Sequence, residues 1–266
     1  MQRLESKAML GRACKLLPWL VLLSVLLLLS ACQAETSTIT LPPPQTWSVQ
    51  VPQELAWLGP DLNACAAQVS PSGQVGVLLD SAAATGTTAT PSDFILQLDT
   101  GDPLALAYEA VLGQLDLAIV VNPQNPLVEL SLDEIQAAFS GQVTDWAGLS
   151  PKDCQKCIQQ KGPVQPLIYP AGDAVQRAFE SVFQRLPARP LTATLAPDPL
   201  AVREAVATNR QAIGFIPAAF VDATVQMVRV TDLAPGRLRF PIVVGAASPP
   251  EGIRLAWLLC LQGKIK

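Results

Sequence analysis

From Trp47 onwards, apolar side chains recur either at every second residue or at every third and fourth, and each rhythm assigns an element. Residues 47–51 (WSVQV) alternate as a strand, residues 60–68 space their apolar positions as a short helix, and residues 75–80 (VGVLLD) form a second strand ending at Asp80. Residues 81–92 (SAAATGTTATPS) are small and polar around Gly86 and carry no apolar rhythm, so they read as a loop and a candidate functional one. Residues 93–98 (DFILQL) return to strand, and residues 115–127 (LDLAIVVNPQNPL) form a fully apolar strand running into a proline-bounded connection. Such a run suits a buried parallel strand. Ser131 and Glu134 then make a capping box, opening a helix with Leu132, Ile135, Ala138 and Phe139 on its apolar side and Gly141 as its stop. Asp198-Pro199 is another helix start, with Val202, Ala205 and Val206 facing inward. Residues 212–217 (AIGFIP) and 239–245 (RFPIVVG) are strands, and a helix runs from about Pro250 to Leu261. Strands alternate with helices and no internal repeat appears, which predicts an α/β class with open sheets.

Upstream of Trp47 the chain has a different character. Arg3, Lys7, Arg12 and Lys15 precede an apolar run from Leu16 to Leu29, which closes in Leu29-Ser30-Ala31-Cys32. This reads as a secretory signal of residues 1–31 with a lipobox, cut ahead of Cys32, whose thiol takes a diacylglycerol. Two or more acyl chains would hold the protein at a membrane. A simple membrane span fits less well, because Pro18 and Ser24 interrupt a run shorter than the ~20 residues a span needs. Gln33 follows the cysteine, with no aspartate to signal inner-membrane retention. Residues 32–46, rich in Ser, Thr and Pro, form a tether. The expected location is extracytoplasmic, anchored to the cell membrane or, depending on the host, the outer membrane.

Composition narrows the chemistry. The leader holds four of the 18 basic residues and one of the 22 acidic ones, so the remaining 235 residues carry 14 against 21, a net of −7. Such a surface suits neither nucleic acid nor anionic lipid headgroups. The chain has no histidine, so the commonest general base and metal ligand are missing, and neither a hydrolase triad nor most zinc enzymes fit. The expectation is a non-enzymatic monomer without cofactor or metal. Its 24 prolines are about twice the usual share of ~5% and predict many turns.

Four cysteines follow Cys32, an even number in an exported chain, so disulfides are expected. Cys154 and Cys157 form a C-x-x-C without a strand-to-helix setting, which favours a local disulfide clip over a redox pair. Cys65 lies at helical spacing with Leu62 and Ala66, and Cys260 with Ile253, Ala256 and Trp257. They either pair with each other or remain buried thiols. A zinc site built from all four is a weaker alternative, since no second C-x-x-C is present.

Residues 115–149 (LDLAIVVNPQNPLVELSLDEIQAAFSGQVTDWAGL) resemble the PstS-like phosphate-binding components of ABC transporters. The resemblance rests on Val121-Asn122-Pro123, Leu130-Ser131, Phe139-Ser140-Gly141 and Trp146, and continues through residues 169–183, 201–217 and 239–259. It implies a type II periplasmic-binding-protein fold: two lobes with a cleft between them, the first lobe abbreviated. Lobe 1 would comprise about 47–121 plus 241–266 and lobe 2 about 122–240, with crossovers at Asn122–Pro126 and Arg239–Pro241. It also implies a phosphate or related oxyanion ligand and an ABC permease as partner. The family's second-lobe motif, Gly-Ser-Gly-Thr-Arg, falls on Gly172-Asp173-Ala174-Val175-Gln176, where only the first glycine matches. Arg177 comes one position late, which on a helix turns it by ~100° and predicts that it faces elsewhere. The first-lobe Gly-Ser-Ser/Thr loop is replaced by Pro52-Gln53-Glu54.

Asp173 is therefore the residue in question. As an N-cap it would accept from the amides of Val175 or Gln176, Gln176 would complete a capping box, and Val175, Ala178, Phe179, Val182 and Phe183 would form one buried face. An internal carboxylate would then occupy the position of an external anion. The other role open to it is as acceptor from a protonated oxyanion. Two functions compete: a solute-binding lipoprotein of an ABC transporter, and a lipoprotein of the same fold that has lost the anion site and acts as an envelope interaction or sensory module. A thiol redox enzyme using Cys154 and Cys157 ranks third.

Overall fold

The computed structural model describes residues 45–80, 92–149, 161–183 and 192–265. The leader, Cys32, nearly all of the tether, the small-residue loop after Asp80 and the C-x-x-C of Cys154 and Cys157 lie outside the described residues. In chain order the elements are β1 (Thr46–Pro52), a 3-10 helix (Gln53–Leu58), α1 (Gly59–Val69), β2 (Gln74–Asp80), β3 (Phe94–Leu98), β4 (Tyr108–Val121), β5 (Glu129–Ser131) and α2 (Leu132–Ser140). There follow β6 (Gln165–Ile168), α3 (Ala174–Val182), β7 (Thr194–Leu195), α4 (Pro199–Thr208), β8 (Ala212–Pro217), β9 (Gln226–Thr231), β10 (Arg239–Ala246) and α5 (Gly252–Lys264). Among the described residues no helix is long and apolar enough to cross a membrane.

The strands connect in the order β2-β1-β3-β10-β4-β8-β6-β7, with β9 on the other side of β4 and β5 beside β9. β1 pairs in parallel with β2 and β3, and β6 does so with β7 and β8, whereas β4 is antiparallel to β10, β8 and β9. This corrects the parallel expectation for residues 115–121. Their apolar run reports that both faces are covered, and an antiparallel strand in that position needs the same composition. The strand also begins at Tyr108 rather than Leu115. Its first part, residues 108–114 (YEAVLGQ), is half exposed, interrupted by Gly113, and pairs with β10.

β4 changes partner within its length. Up to Asp116 it pairs with β10, and from Leu117 it pairs with β8. The change lies upstream of Asn122–Pro126, and the return strand enters beside it: Arg239 pairs with Asp116, and the Leu117 amide donates to the Leu238 carbonyl at 2.7 Å. The side chains of Arg239 and Asp116 meet in a two-pronged ion pair at 2.7 and 3.2 Å. One half of the sheet (β2, β1, β3, β10) carries α1 and α5. The other (β8, β6, β7) carries α3 and α4.

Each half has an aromatic centre. Trp257 of α5 packs edge-on against Trp47 and tilted against Phe94, and its indole N–H donates to the Leu62 carbonyl. In the other half Phe179 stacks on Phe215 at 3.9 Å, with Phe139 and Tyr169 edge-on around them. Burial of each such ring contributes about 1.5–3 kcal/mol. Cys65 and Cys260 are disulfide-bonded and join α1 to α5, so they cannot serve as thiolates in a four-cysteine zinc site. The buried face of α5 is Trp257, Leu258 and Leu261, while Ala256 is exposed.

The start and stop signals act as read. Ser131 and Glu134 close a reciprocal capping box, and Gly141 ends α2 in the left-handed region at φ 74°. Asn122 is buried and donates to the last carbonyls of α4, Val206 at 3.0 Å and Ala207 at 2.8 Å, while accepting from the Gln124 amide. The Val-Asn-Pro motif thus ties the end of β4 to the end of a helix.

Candidate functional site

A cleft of about 280 Å³ opens between the two halves. One wall comprises the end of β1, the start of the 3-10 helix and the middle of β3. The other comprises the loops leading into α3 and α4, with Gly172, Asp173, Ala174 and Arg177 from the first and Pro197, Asp198 and Pro199 from the second. Helices start there because their caps do. Asp173 accepts from the amides of Val175 at 2.8 Å and Gln176 at 3.1 Å, and Asp198 accepts from the amide of Ala201 at 2.8 Å ahead of Pro199 at the first helical position. Gly172 reaches φ 85°, a turn that a side chain would strain, and so delivers Asp173 to the helix entrance.

Across the cleft, Glu54 stands in the first turn of the 3-10 helix and is only 6% exposed. Each helical start facing the cleft therefore brings its own carboxylate: Glu54, Asp173 and Asp198. The single cationic side chain in the described lining is Arg177. Its Nε donates to Thr100 Oγ1 at 3.0 Å and lies 3.5 Å from Asp102, and its Nη1 donates to the Gly172 carbonyl at 2.6 Å. Thr100 and Asp102 follow β3, so the guanidinium spans the cleft.

Burial, more than charge, shifts two groups. Burial pushes the Asp173 carboxyl above its ordinary range, opposed by the amides of Gln176 and Val175 and by the Arg177 charge. Tyr169, buried with its hydroxyl donating to the Phe215 carbonyl at 2.8 Å, has its phenol pushed well above the usual value by burial, with smaller contributions from Asp173, Asp198 and Glu54. All three carboxylates are felt at one buried ring.

Of the six residues singled out from sequence, Gly172, Asp173, Ala174 and Arg177 line the cleft. Val175 and Gln176 give only their amides to it, through Asp173, and their side chains are buried. Gln176 does not complete a capping box. Its Oε1 accepts from the Tyr169 amide at 3.0 Å and its Nε2 donates to Glu180 at 2.8 Å, because the Asp173 amide is already held by the Pro170 carbonyl. Arg177 does not face elsewhere either: side chains on a helix lean back towards its N-terminus, and this long one reaches the entrance from one position further on. Glu54 and the cleft position of Asp198 were missed. Asp198 reads from sequence as an ordinary helix cap, and Glu54 as part of the segment that replaces the first-lobe loop.

The described lining presents no nucleophile beside a base, and among the described residues no three acidic or cysteine side chains gather as a metal-binding group. The arrangement can hold a small molecule by charge and hydrogen bonds.

No family model matches the chain, and no curated protein sequence does. Solved structures do. The chain is similar to a candidate phosphate ABC transporter substrate-binding protein with bound phosphate from Clostridium perfringens, at TM-score 0.65 and 17% identity, over 82% of this chain and 93% of that one. The fold is that of the type II periplasmic binding proteins. This periplasmic-binding-protein fold is shared by an ABC-type phosphate transport receptor from Vibrio cholerae (TM-score 0.55, 18% identity, 83% and 94% covered). It is shared as well by the regulatory domain of CcmR from Synechocystis PCC6803 in complex with 2-PG (TM-score 0.58, 12% identity, 83% and 97% covered).

Proposed function

We propose that the protein is an extracytoplasmic solute-binding lipoprotein, anchored through Cys32, that delivers phosphate or a related oxyanion to an ABC permease. The observation that carries this reading is the cleft itself, walled by both halves of the sheet and bridged by Arg177 at the entrances of α3 and α4. Helix entrances and a guanidinium are a familiar oxyanion setting, and the phosphate-bound fold relative supports it. In this reading the leader is 1–31, the tether 32–46, one lobe 47–121 with 241–266, and the other 122–240. A disulfide joining α1 to α5 agrees with an oxidising compartment outside the cytoplasm.

The test is calorimetric titration of the purified protein with phosphate, with sulfate and molybdate as controls, beside Asp173→Ser. We expect phosphate to bind the unaltered protein in the micromolar range, about −8 kcal/mol. Loss of binding in the variant would make Asp173 an acceptor from protonated phosphate, and a gain would mean that its charge repels the ligand.

The three carboxylates favour a second reading, in which the anion site has been filled from within and the domain serves as an envelope interaction or sensory module. Silence towards every oxyanion in both proteins, with co-purification of a signalling partner rather than a permease, is its expected outcome.

A further inference from the structure

The turn that follows β3 is braced from within. Asp99 Oδ1 accepts from the Gly101 amide at 2.9 Å, Gly101 stands in the left-handed region at φ 98°, and the Gln97 side chain donates to the Asp102 carbonyl at 3.0 Å. The Asp99 amide donates to the Pro241 carbonyl of β10 at 2.9 Å, so the turn is fastened to its own half of the sheet. From there it presents two acceptors, Thr100 Oγ1 and the Asp102 carboxylate, and Arg177 of the opposite half meets both, at 3.0 and 3.5 Å. The guanidinium is anchored on its own side too. Its Nη1 donates to the Gly172 carbonyl at 2.6 Å, and its charge also acts on the Asp173 carboxylate. Arg177 is thus held in place before it reaches across, which reduces the rotamer freedom that an arginine otherwise loses on pairing.

A bridge of this kind has a mechanical meaning. The chain passes between the halves only along β4, at Asp116 and Leu117, and back beside it at Leu238 and Arg239. Each aromatic centre lies wholly within one half. Bending those two strands would part the cleft walls and break the Arg177 contacts while leaving both centres intact. With Arg177 in place, Asp102 on one wall and Asp173 on the other share a cation; without it, two like charges are left on opposite walls.

We infer that Arg177, Thr100 and Asp102 form a clasp that holds the two halves of the sheet together over the cleft in the ligand-free protein, and that opening the cleft requires its release. The inference concerns the protein before any solute arrives, so it stands or falls apart from the receptor reading. One hydrogen bond and one partly exposed ion pair together bias the closed arrangement by roughly tenfold. Salt screens the pair, so the bias weakens as ionic strength rises.

The test is the distance between the halves in detergent-solubilised full-length protein without ligand, measured by double electron–electron resonance. Nitroxides attached to p-acetylphenylalanine at Ala64 on α1 and Glu204 on α4, both exposed, report it without using cysteine. At low salt the unaltered protein should give one dominant distance. Thr100→Val with Asp102→Asn should raise the fraction at a second distance roughly tenfold. Both substitutions keep the size of the side chain, and that of Asp102 is 68% exposed, so the fold does not rest on it. Arg177→Gln should open the cleft by itself. In that background the same two substitutions should open it no further, because they then remove no bond and relieve a repulsion. Raising salt from about 0.05 to about 0.5 M should open the unaltered protein but not Arg177→Gln. Three results would each overturn the clasp: a broad mixture of distances in the unaltered protein at low salt, distributions unmoved by either set of substitutions, or additive opening when the two sets are combined.

Discussion

Asp173 caps α3 from a place poor in water, and the two circumstances pull its proton in opposite directions. The amides of Val175 and Gln176 favour the carboxylate, burial favours the acid, and burial prevails, so the folded pKa stands above the ordinary value. A carboxyl raised in this way contributes most to stability while protonated. That contribution is full below the unfolded value of about 3.9 and is lost as pH rises through the folded one. Asparagine caps about as well and carries no charge. We therefore expect Asp173→Asn to gain stability relative to the unaltered protein as pH rises from 4 towards 7, seen as diverging midpoints in urea unfolding. Parallel midpoints across that range would contradict the raised pKa. Asp173→Ala, which also loses the cap, should unfold about 1 kcal/mol more easily than the asparagine variant at any pH.

At the scale of elements, two fastenings hold the halves in different ways. In the half that carries α3 and α4, the stacked pair Phe179 and Phe215 with Phe139 and with Tyr169, just after β6, holds α2, α3 and β8 together without a covalent link. In the other half, α1 and α5 are 195 residues apart in sequence and are joined covalently through Cys65 and Cys260. A bond closing so long a loop removes much freedom from the unfolded chain. Replacing both cysteines with serine should lower the unfolding free energy by about 2–4 kcal/mol. Reductant should destabilise the unaltered protein by a comparable amount and leave the double variant unmoved, unless a Cys154–Cys157 bond adds a contribution of its own.

For the whole molecule, the proposed function requires the folded body to stay at a membrane. In that proposal attachment falls to the leader and Cys32; among the described residues no helix is long and apolar enough to cross a membrane. Cys32→Ser should abolish lipid incorporation, and detergent-phase partitioning measures the outcome: the unaltered protein enters the detergent phase and a processed variant stays in the aqueous phase. Retention of an unlipidated variant through an uncleaved leader would show as a larger mass, while equal partitioning of two mature forms would sink the lipid anchor.

The sequence by itself determined what depends on neighbours along the chain. The caps at Ser131, Asp173 and Asp198, the stop at Gly141 and the buried faces of α2 and α3 each follow from residues within one or two turns, where spacing is geometry. The alternation of strands and helices was legible too, and it predicted the α/β class. Tertiary structure decided what depends on residues far apart. The apolar run of β4 shows that both its faces are covered but not the direction of its partners, and its first part, interrupted by Gly113, pairs with the distant β10. The Cys65–Cys260 pairing required two helices to meet. The missing capping box is a nearer case: the turn before α3 gives the Asp173 amide to Pro170, and Gln176 takes the Tyr169 amide seven residues back. Locally, Asp198 reads as a helix start, Arg177 as a misplaced basic residue and Glu54 as part of a replaced loop. Only folding brings three carboxylates and one guanidinium to the same cleft, because charges act through space and their spacing in space is not written in their spacing along the chain.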